Sequence, residues 1–368
     1  MNEVFIDLSE MAARPLRTGI QRVERELLRN WPGPAPLVPC AFDCVTGTLG
    51  RLPESLLDRL LRADPESCAA VSGTALPIGK GLAGRIIFNP ELFFDRARAS
   101  FYRALCRAGA QRVSWLLYDF LPWLHPELFG RSGAPGRMDF LRTVWEVPRV
   151  AFISEDTRTN YHRAIMRGGA RDGPVFALGG DGLGLPHQKF DPSRRDFVVL
   201  GTIEPRKSVD AILEAFQSLW AEGVSAHLVL LGRISANADR EQAMLAALAD
   251  APLLRFIEQP DDATVCRIVS RARALVTAST AEGFGLAPVE ALAAGIAVIT
   301  PENLPSIQML PRNGQIRLAR LDPPAIAAAV RRLLDNNMAA RLFAEAASLH
   351  VHSWKDFAES IAAWLQDP

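Results

Sequence analysis

Two glutamates separated by seven residues bracket a glycine-broken loop, in Glu282-Gly283-Phe284-Gly285-Leu286-Ala287-Pro288-Val289-Glu290. The stretch reads as a loop running into a helix. Pro288 suits a first helical turn, where its missing N–H has no partner to lose. Val289–Ala294 propagates well, and Gly295 stops it. Such a junction offers unpaired N–H groups and a positive dipole end to an anion. Glycines let a ligand approach the main chain closely, and a carboxylate on either side accepts hydrogen bonds from hydroxyls. Phosphate and polyol recognised together are the chemistry of a nucleotide sugar.

A second segment, Gly201-Thr202-Ile203-Glu204-Pro205-Arg206-Lys207-Ser208, follows the strand-like run Phe197–Leu200 and precedes a periodic stretch over Val209–Ala221. Two adjacent cations at the carboxyl end of a strand suit a diphosphate: arginine clamps oxygens bidentately and lysine adds a point charge. Cations at a helix start are otherwise unfavourable. In the first half, Thr18 is positioned to cap a helix begun by Gly19, and Tyr118-Asp119-Phe120-Leu121-Pro122 ends the strand-like run Val113–Tyr118. Asp119 could orient a sugar hydroxyl or take a proton.

The elements that must carry these residues alternate. Strand-like runs at Val4–Leu8, Arg85–Phe88, Val113–Tyr118, Val150–Ile153, Val175–Leu178, Phe197–Leu200, Ala226–Leu231, Leu253–Phe256, Ala274–Thr277 and Ala297–Ile299 are separated by helical periodicity. The pattern predicts parallel sheets covered on both faces by helices, with ligands at the carboxyl ends of the strands. The chain has 368 residues, 49% of them hydrophobic, enough for two cores. A glycine-rich break at 179–186 is the best boundary. The expected division is a first domain over 1–184, a linker over 185–195, a second domain over 196–352 and a terminal helix over 353–368. Trp354, Phe357, Ile361, Trp364 and Leu365 make one apolar face of that helix.

Lys plus Arg and Asp plus Glu both number 41, so no global field recruits nucleic acid. Five cysteines without a paired spacing exclude a disulfide framework and a zinc site, and read as reduced, mostly buried thiols. There is no apolar run of spanning length and no secretory signal segment, so a cytoplasmic location is expected. Gly79–Gly84 matches a dinucleotide fingerprint by letter, but a strand-like run follows where a helix is needed. No Asp-x-Asp occurs, so no metal is expected. Over Glu91–Ala108, Arg96, Arg103 and Arg107 share a face opposite Phe94, Phe101 and Leu105, a basic amphipathic pattern able to touch anionic lipid.

The Glu282…Glu290 stretch resembles the Glu-x7-Glu motif of retaining glycosyltransferases of family 4 in the GT-B class, and Gly201–Lys207 resembles that family's phosphate loop. The resemblance implies a fold of two doubly wound domains facing a cleft, with the terminal helix crossing back to the first. It places Glu282 on the transferred sugar and Glu290 on the ribose. Arg206 and Lys207 meet the diphosphate, with Thr202, Gly283, Phe284, Gly285 and Leu286 around the donor. Ile257 and Gln259 sit at the nucleobase. Thr18, Gly19 and Tyr118 lie on the acceptor side, where Tyr118 stands in the position of the family's usual histidine. Thr202 replaces an arginine common in the family. The implied reaction needs no metal or other cofactor and transfers a sugar from a nucleotide diphosphate sugar, GDP-mannose first, to a glycan or lipid-linked glycan. The run Thr18-Gly19-Ile20-Gln21-Arg22-Val23 is similar to bacterial mannosyl- and rhamnosyltransferases of surface polysaccharide assembly. Tyr118 and Thr202 keep open a non-catalytic sugar-nucleotide-binding paralogue, and a nucleotide-sugar epimerase shares the fold.

Overall fold

The computed structural model describes residues 3–33, 35–62, 82, 84–109, 112–129, 134–166 and 171–367. The Gly79–Gly84 segment and Cys68 lie wholly or largely outside the described residues. Two compact units emerge: Met1–Leu124 with Arg131–Leu178 and Trp354–Pro368, and His125–Gly130 with Gly179–Ser353.

The first unit is built on strands β1 (Val4–Asp7), β2 (Leu37–Asp43), β3 (Thr48–Arg51), β4 (Ile86–Asn89), β5 (Arg112–Leu117) and β6 (Arg149–Phe152). Their order is β3-β2-β1-β4-β5-β6. All neighbours are parallel except the β2–β3 pair, an antiparallel hairpin at one edge. The central strands are apolar on both faces: Val4, Phe5 and Ile6 are all fully buried, as a doubly covered parallel sheet requires. The terminal helix Trp354–Gln366 packs on Gly19–Asn30 in this unit, burying Trp354, Phe357, Ile361 and Leu365. Burying four such side chains contributes on the order of 1.5–3 kcal/mol each. Arg112 and Arg149 donate to the carbonyls of Leu365 and Trp364 at the end of that helix, where its dipole is negative.

The second unit carries β7 (Asp196–Leu200), β8 (His227–Gly232), β9 (Leu254–Glu258), β10 (Ala274–Val276), β11 (Val298–Pro301) and β12 (Gln315–Leu318), all parallel, in the order β12-β11-β10-β7-β8-β9. Both sheets therefore follow the same doubly wound plan. Each reverses direction once, at β1/β4 and at β7/β10, and ligands bind outside the carboxyl ends at such switch points.

Several expectations are corrected. Val175–Leu178 is not a strand; only a single bridge joins Val175 to Phe152. Strands β2, β3 and β12 were not anticipated. The basic helix begins at Arg96, capped by Asp95, and not at Glu91; Arg96 and Arg103 pair with Asp139 and Arg107 with Glu146, while Arg96 and Arg107 stay largely exposed. Of the four described cysteines only Cys40 is buried, while Cys44 is exposed. Residues 185–195 form neither helix nor strand and group with the second unit.

Candidate functional site

Residues 201–208 and 277–285 are far apart in sequence, yet one leaves β7 and the other leaves β10, the adjacent strands at the switch point of the second sheet. The chain is extended by β7 until Gly201, at φ +133°, turns it. A side chain there would sit 2.9 Å from Lys207 Nζ, so the glycine makes room for the ammonium. Pro205–Lys207 forms one 3-10 turn. Ser208 then adopts the left-handed conformation at φ +46° before the helix Val209–Ala221. A non-glycine residue held there carries backbone strain, a feature that clusters at ligand sites.

The loop from β10 is stitched to this turn. Thr280 donates from both its N–H and its hydroxyl to the Arg206 carbonyl, at 2.7 and 3.0 Å. Arg206 returns Nη1 to the Ala281 carbonyl at 2.9 Å and to Glu282 Oε2 at 2.6 Å. Lys207 Nζ lies 3.2 Å from Glu282 Oε1, and Ser279 Oγ donates to that same oxygen at 3.0 Å. Arg206 Nη2 also meets Glu204 Oε1 at 2.7 Å. Burial pushes the Glu282 carboxyl up. The Lys207 and Arg206 charges and the bonds from Arg206 and Ser279 more than reverse that, holding it at about 2. It is a carboxylate across the physiological range. The four charges Glu204, Arg206, Lys207 and Glu282 sum to zero, so a bound diphosphate would need to draw the two cations partly away from the two carboxylates.

After Glu282 the loop reaches Gly285, at φ +95°, which caps the helix Leu286–Ala293. Leu304 packs where a side chain on Gly285 would stand, only 2.7 Å from it. The main chain here is fixed by Ser306, which donates its N–H to the Phe284 carbonyl at 3.0 Å and its hydroxyl to the Gly285 carbonyl at 2.8 Å. The first-turn N–H groups of a helix have no intrahelical partner. Pro288 is the third helical residue and removes one of them. Glu290 is the fifth, in the second turn, and is 2% exposed. It is a buried carboxyl and not the surface acid that complements a dipole.

The structure thus brings together Arg206, Lys207 and Glu282, with Thr202 in the same loop and Gly283, Phe284, Gly285, Leu286 and Glu290 continuing from it. Ile257 lies near the end of β9, two strands from β7, and Gln259 just past it; Gln259 is exposed, at φ +49°, and its N–H donates to the Gly232 carbonyl. Glu204, Ser279, Thr280 and Ser306 were missed, although Ser279-Thr280 immediately before the acidic motif was a readable pair of hydroxyls.

In the first unit, Thr18 accepts from the Gln21 N–H and caps the helix Gly19–Asn30. Asp119 accepts from the Leu121 N–H at 3.1 Å. Tyr118 is 6% exposed, and its buried hydroxyl has no partner among the described residues. Sequence reading also missed a buried polar cluster beside the carboxyl ends of β1 and β4. Arg98 bonds Asp7, Asn89 and Glu91, and Tyr102 donates to Asp7 at 2.6 Å. Glu24 is fully buried, with neither carboxyl oxygen partnered among the described residues. Burial, then the nearby Glu91 charge, pushes its carboxyl well above the usual range.

Two doubly wound six-stranded units of this kind define the GT-B class of fold. Within the second unit, residues 186–350 match the family described as glycosyl transferases group 1. The chain is 35% identical over 107 residues to the serotype-specific mannosyltransferase WbdA of Escherichia coli, a match covering 28% of this chain and 13% of that protein. It is 33% identical over 128 residues to the phosphatidyl-myo-inositol mannosyltransferase of Mycobacterium tuberculosis, covering 34% and 32% respectively. The chain therefore spans a third or less of the length of these relatives. Among solved structures, Anabaena HepE in complex with UDP and glucose superposes with a TM-score of 0.66 at 14% identity, over 100% of both chains. The sucrose-phosphate synthase of Thermosynechococcus elongatus gives 0.67 at 15% identity, over 99% and 98%. Among the described residues no helix is long and apolar enough to cross a membrane.

Proposed function

We propose that the chain is a retaining glycosyltransferase that moves a sugar from a nucleotide diphosphate sugar to a hydroxyl of a glycan or lipid-linked glycan. The observation that carries this reading is the Arg206–Lys207–Glu282 cluster at the β7/β10 switch point, beside the helix N-terminus at Gly285. Mannosyltransferase relatives favour a mannose donor, with GDP-mannose first. The solved neighbour HepE holds UDP, so the base is the less constrained half of this proposal.

In this reading the diphosphate lies against Arg206, Lys207 and the N–H groups opening the helix at Leu286. Charge on its leaving oxygen grows as the glycosidic bond breaks, so fixed cations act more strongly on the transition state than on the bound donor. Glu282, ionised and held by three donors, accepts hydrogen bonds from hydroxyls of the transferred sugar. Glu290 holds ribose hydroxyls. No protein nucleophile is invoked: the departing phosphate takes the acceptor's proton as the acceptor attacks the same face. Asp119, Tyr118, Thr18 and Gly19 form the acceptor side, with Asp119 orienting a hydroxyl. The guanidinium and ammonium fill the role that a divalent ion plays elsewhere, and we infer that no metal is needed.

A thermal-shift panel of nucleotide sugars tests the reading, because a ligand that binds only the native state raises the melting temperature. GDP-mannose is expected to give the largest rise, unchanged by EDTA. No rise with any nucleotide sugar contradicts the proposal; a rise that EDTA removes contradicts its metal independence.

A further inference from the structure

The helix Arg96–Ala108 packs against Ala134–Glu146, and the ridge they form on the first unit has an unusual outer surface. Among the described residues four large hydrophobic side chains are strongly exposed, and two of them, Met138 at 51% and Trp145 at 52%, lie on this one helix. Their spacing is seven residues, two helical turns, with Arg142 between them, so all three share a stripe. Apolar side chains scattered singly on a surface need no explanation; two aligned on one stripe mark an interaction surface.

What surrounds them indicates the partner. The side chains of Arg96, Arg107 and Arg142 are 70, 71 and 67% exposed. Asp139 accepts from Arg96, Arg103 and Arg142, and Glu146 pairs with Arg107, so four guanidinium groups share two carboxylates. Arg171 adds a fifth, anchored by Nη1 to the Trp145 carbonyl at 2.6 Å. An open groove of about 550 Å³ runs between Arg96, Ser100, Met138, Asp139 and Arg142. The surplus positive charge surrounds the exposed indole and thioether instead of lying apart from them.

We propose that this ridge seats the chain on an anionic lipid bilayer. Trp145 and Met138 enter the headgroup boundary, where an amphipathic ring is stable. Arg96, Arg107 and Arg142 meet lipid phosphates from the flanks, with the groove between Arg96 and Arg142 taking one headgroup. Arginine suits this role because its planar fork pairs with phosphate oxygens bidentately and its stem covers apolar surface. The surface belongs entirely to the first unit and does not depend on the donor site.

The test is co-sedimentation of the full chain with vesicles of phosphatidylcholine containing phosphatidylglycerol, against phosphatidylcholine alone. Binding is expected only to the anionic vesicles and is expected to collapse at 1 M salt, where the screening length falls to about 3 Å. Arg96→Ala with Arg142→Ala should weaken it about 25-fold, taking about fivefold for each basic side chain removed from the surface. Trp145→Ala with Met138→Ala should also weaken it while leaving the salt dependence in place. Unfolding temperature and nucleotide affinity serve as controls and should not move. Equal pelleting of parent and arginine variants overturns the proposal, as does equal binding to both vesicle types. Self-association that is lost in the Trp145→Ala variant, without vesicle binding, would assign the ridge to a second copy of the chain. Inorganic phosphate binding that depends on Arg96 and Arg142, without vesicle binding, would reduce it to a small-anion site.

Discussion

Replacing Glu282 by Gln removes one charge from a group of four and separates two properties that a simple binding residue would couple. The carboxyl sits at about 2 instead of the ordinary 4.5. At about 1.36 kcal/mol per pH unit, its neighbours favour the charged form by roughly 3 kcal/mol. The side chain is only 14% exposed, so solvent screens little of this. Glutamine keeps the size and some of the hydrogen bonds, so a loss of stability of about 2–3 kcal/mol is expected at neutral pH. The sign with pH follows from the depressed value: the contribution is complete above the unfolded carboxyl's value and is lost as pH falls toward 2. The gap between parent and variant should therefore stay constant from pH 7 to about 5 and close below about 4.5. Denaturant unfolding at several pH values reads it. For ligands the direction reverses. Arg206 and Lys207 lose a carboxylate that competes with the diphosphate, so a free nucleoside diphosphate should bind as tightly as in the parent or up to about tenfold tighter, about 1.4 kcal/mol. Transfer should nevertheless fall about 100-fold, because the sugar ring loses its orientation. Weaker diphosphate binding with transfer at the parental rate would refute the assignment of Glu282 to the sugar.

Glu290→Ala should weaken the bare nucleoside diphosphate by about 1.5–3 kcal/mol in calorimetry, the cost of losing a hydrogen bond to a charged group; unchanged affinity removes its ribose role. Arg206→Ala and Lys207→Ala should each lower kcat more than they raise KM, since their partner gains charge in the transition state; a change confined to KM makes the pair a binding device only. Glu24→Gln should stabilise the chain progressively as pH rises. The buried carboxyl, its proton affinity raised by burial and by Glu91, keeps a proton that the unfolded chain releases above about 4.5. Urea midpoints of parent and variant should coincide near pH 4 and diverge by pH 8; parallel curves would show that Glu24 has found a partner.

How much of this was legible in the sequence depended on distance along the chain. Local signals read well: the Thr18 cap, the helix Val209–Ala221, the stop at Gly295 and the apolar face of Trp354–Leu365 all follow from nearest-neighbour chemistry. The resemblance carried by Glu282…Glu290 led to the family that residues 186–350 match. The pairing of Arg206 with Glu282 was not legible, because it depends on β7 and β10 being neighbours, a property of strand order and not of either segment. Glu282 was therefore read as a sugar ligand without its ion partners. Strands β2 and β3 were missed because Pro39 interrupts one, with Pro36 just before it, and the other has four residues. Val175–Leu178 looked like a strand by composition, but Pro174 precedes it and two glycines follow, and only Val175 reaches the sheet. The ion pairs made by the arginines of Arg96–Ala108 were not legible because the helix that supplies Asp139 and Glu146 lies more than thirty residues on.

The most direct measurement of the central claim is the fate of GDP-mannose and of UDP-sugars incubated with the chain and followed by nuclear magnetic resonance. The account predicts that a nucleotide sugar loses its sugar, to acceptor or water, with the α-anomer formed first from an α-linked donor. It also predicts that this release is lost in the Lys207→Ala chain. Recovery of every donor intact under conditions where one of them binds, or a β-anomer as first product, would contradict it.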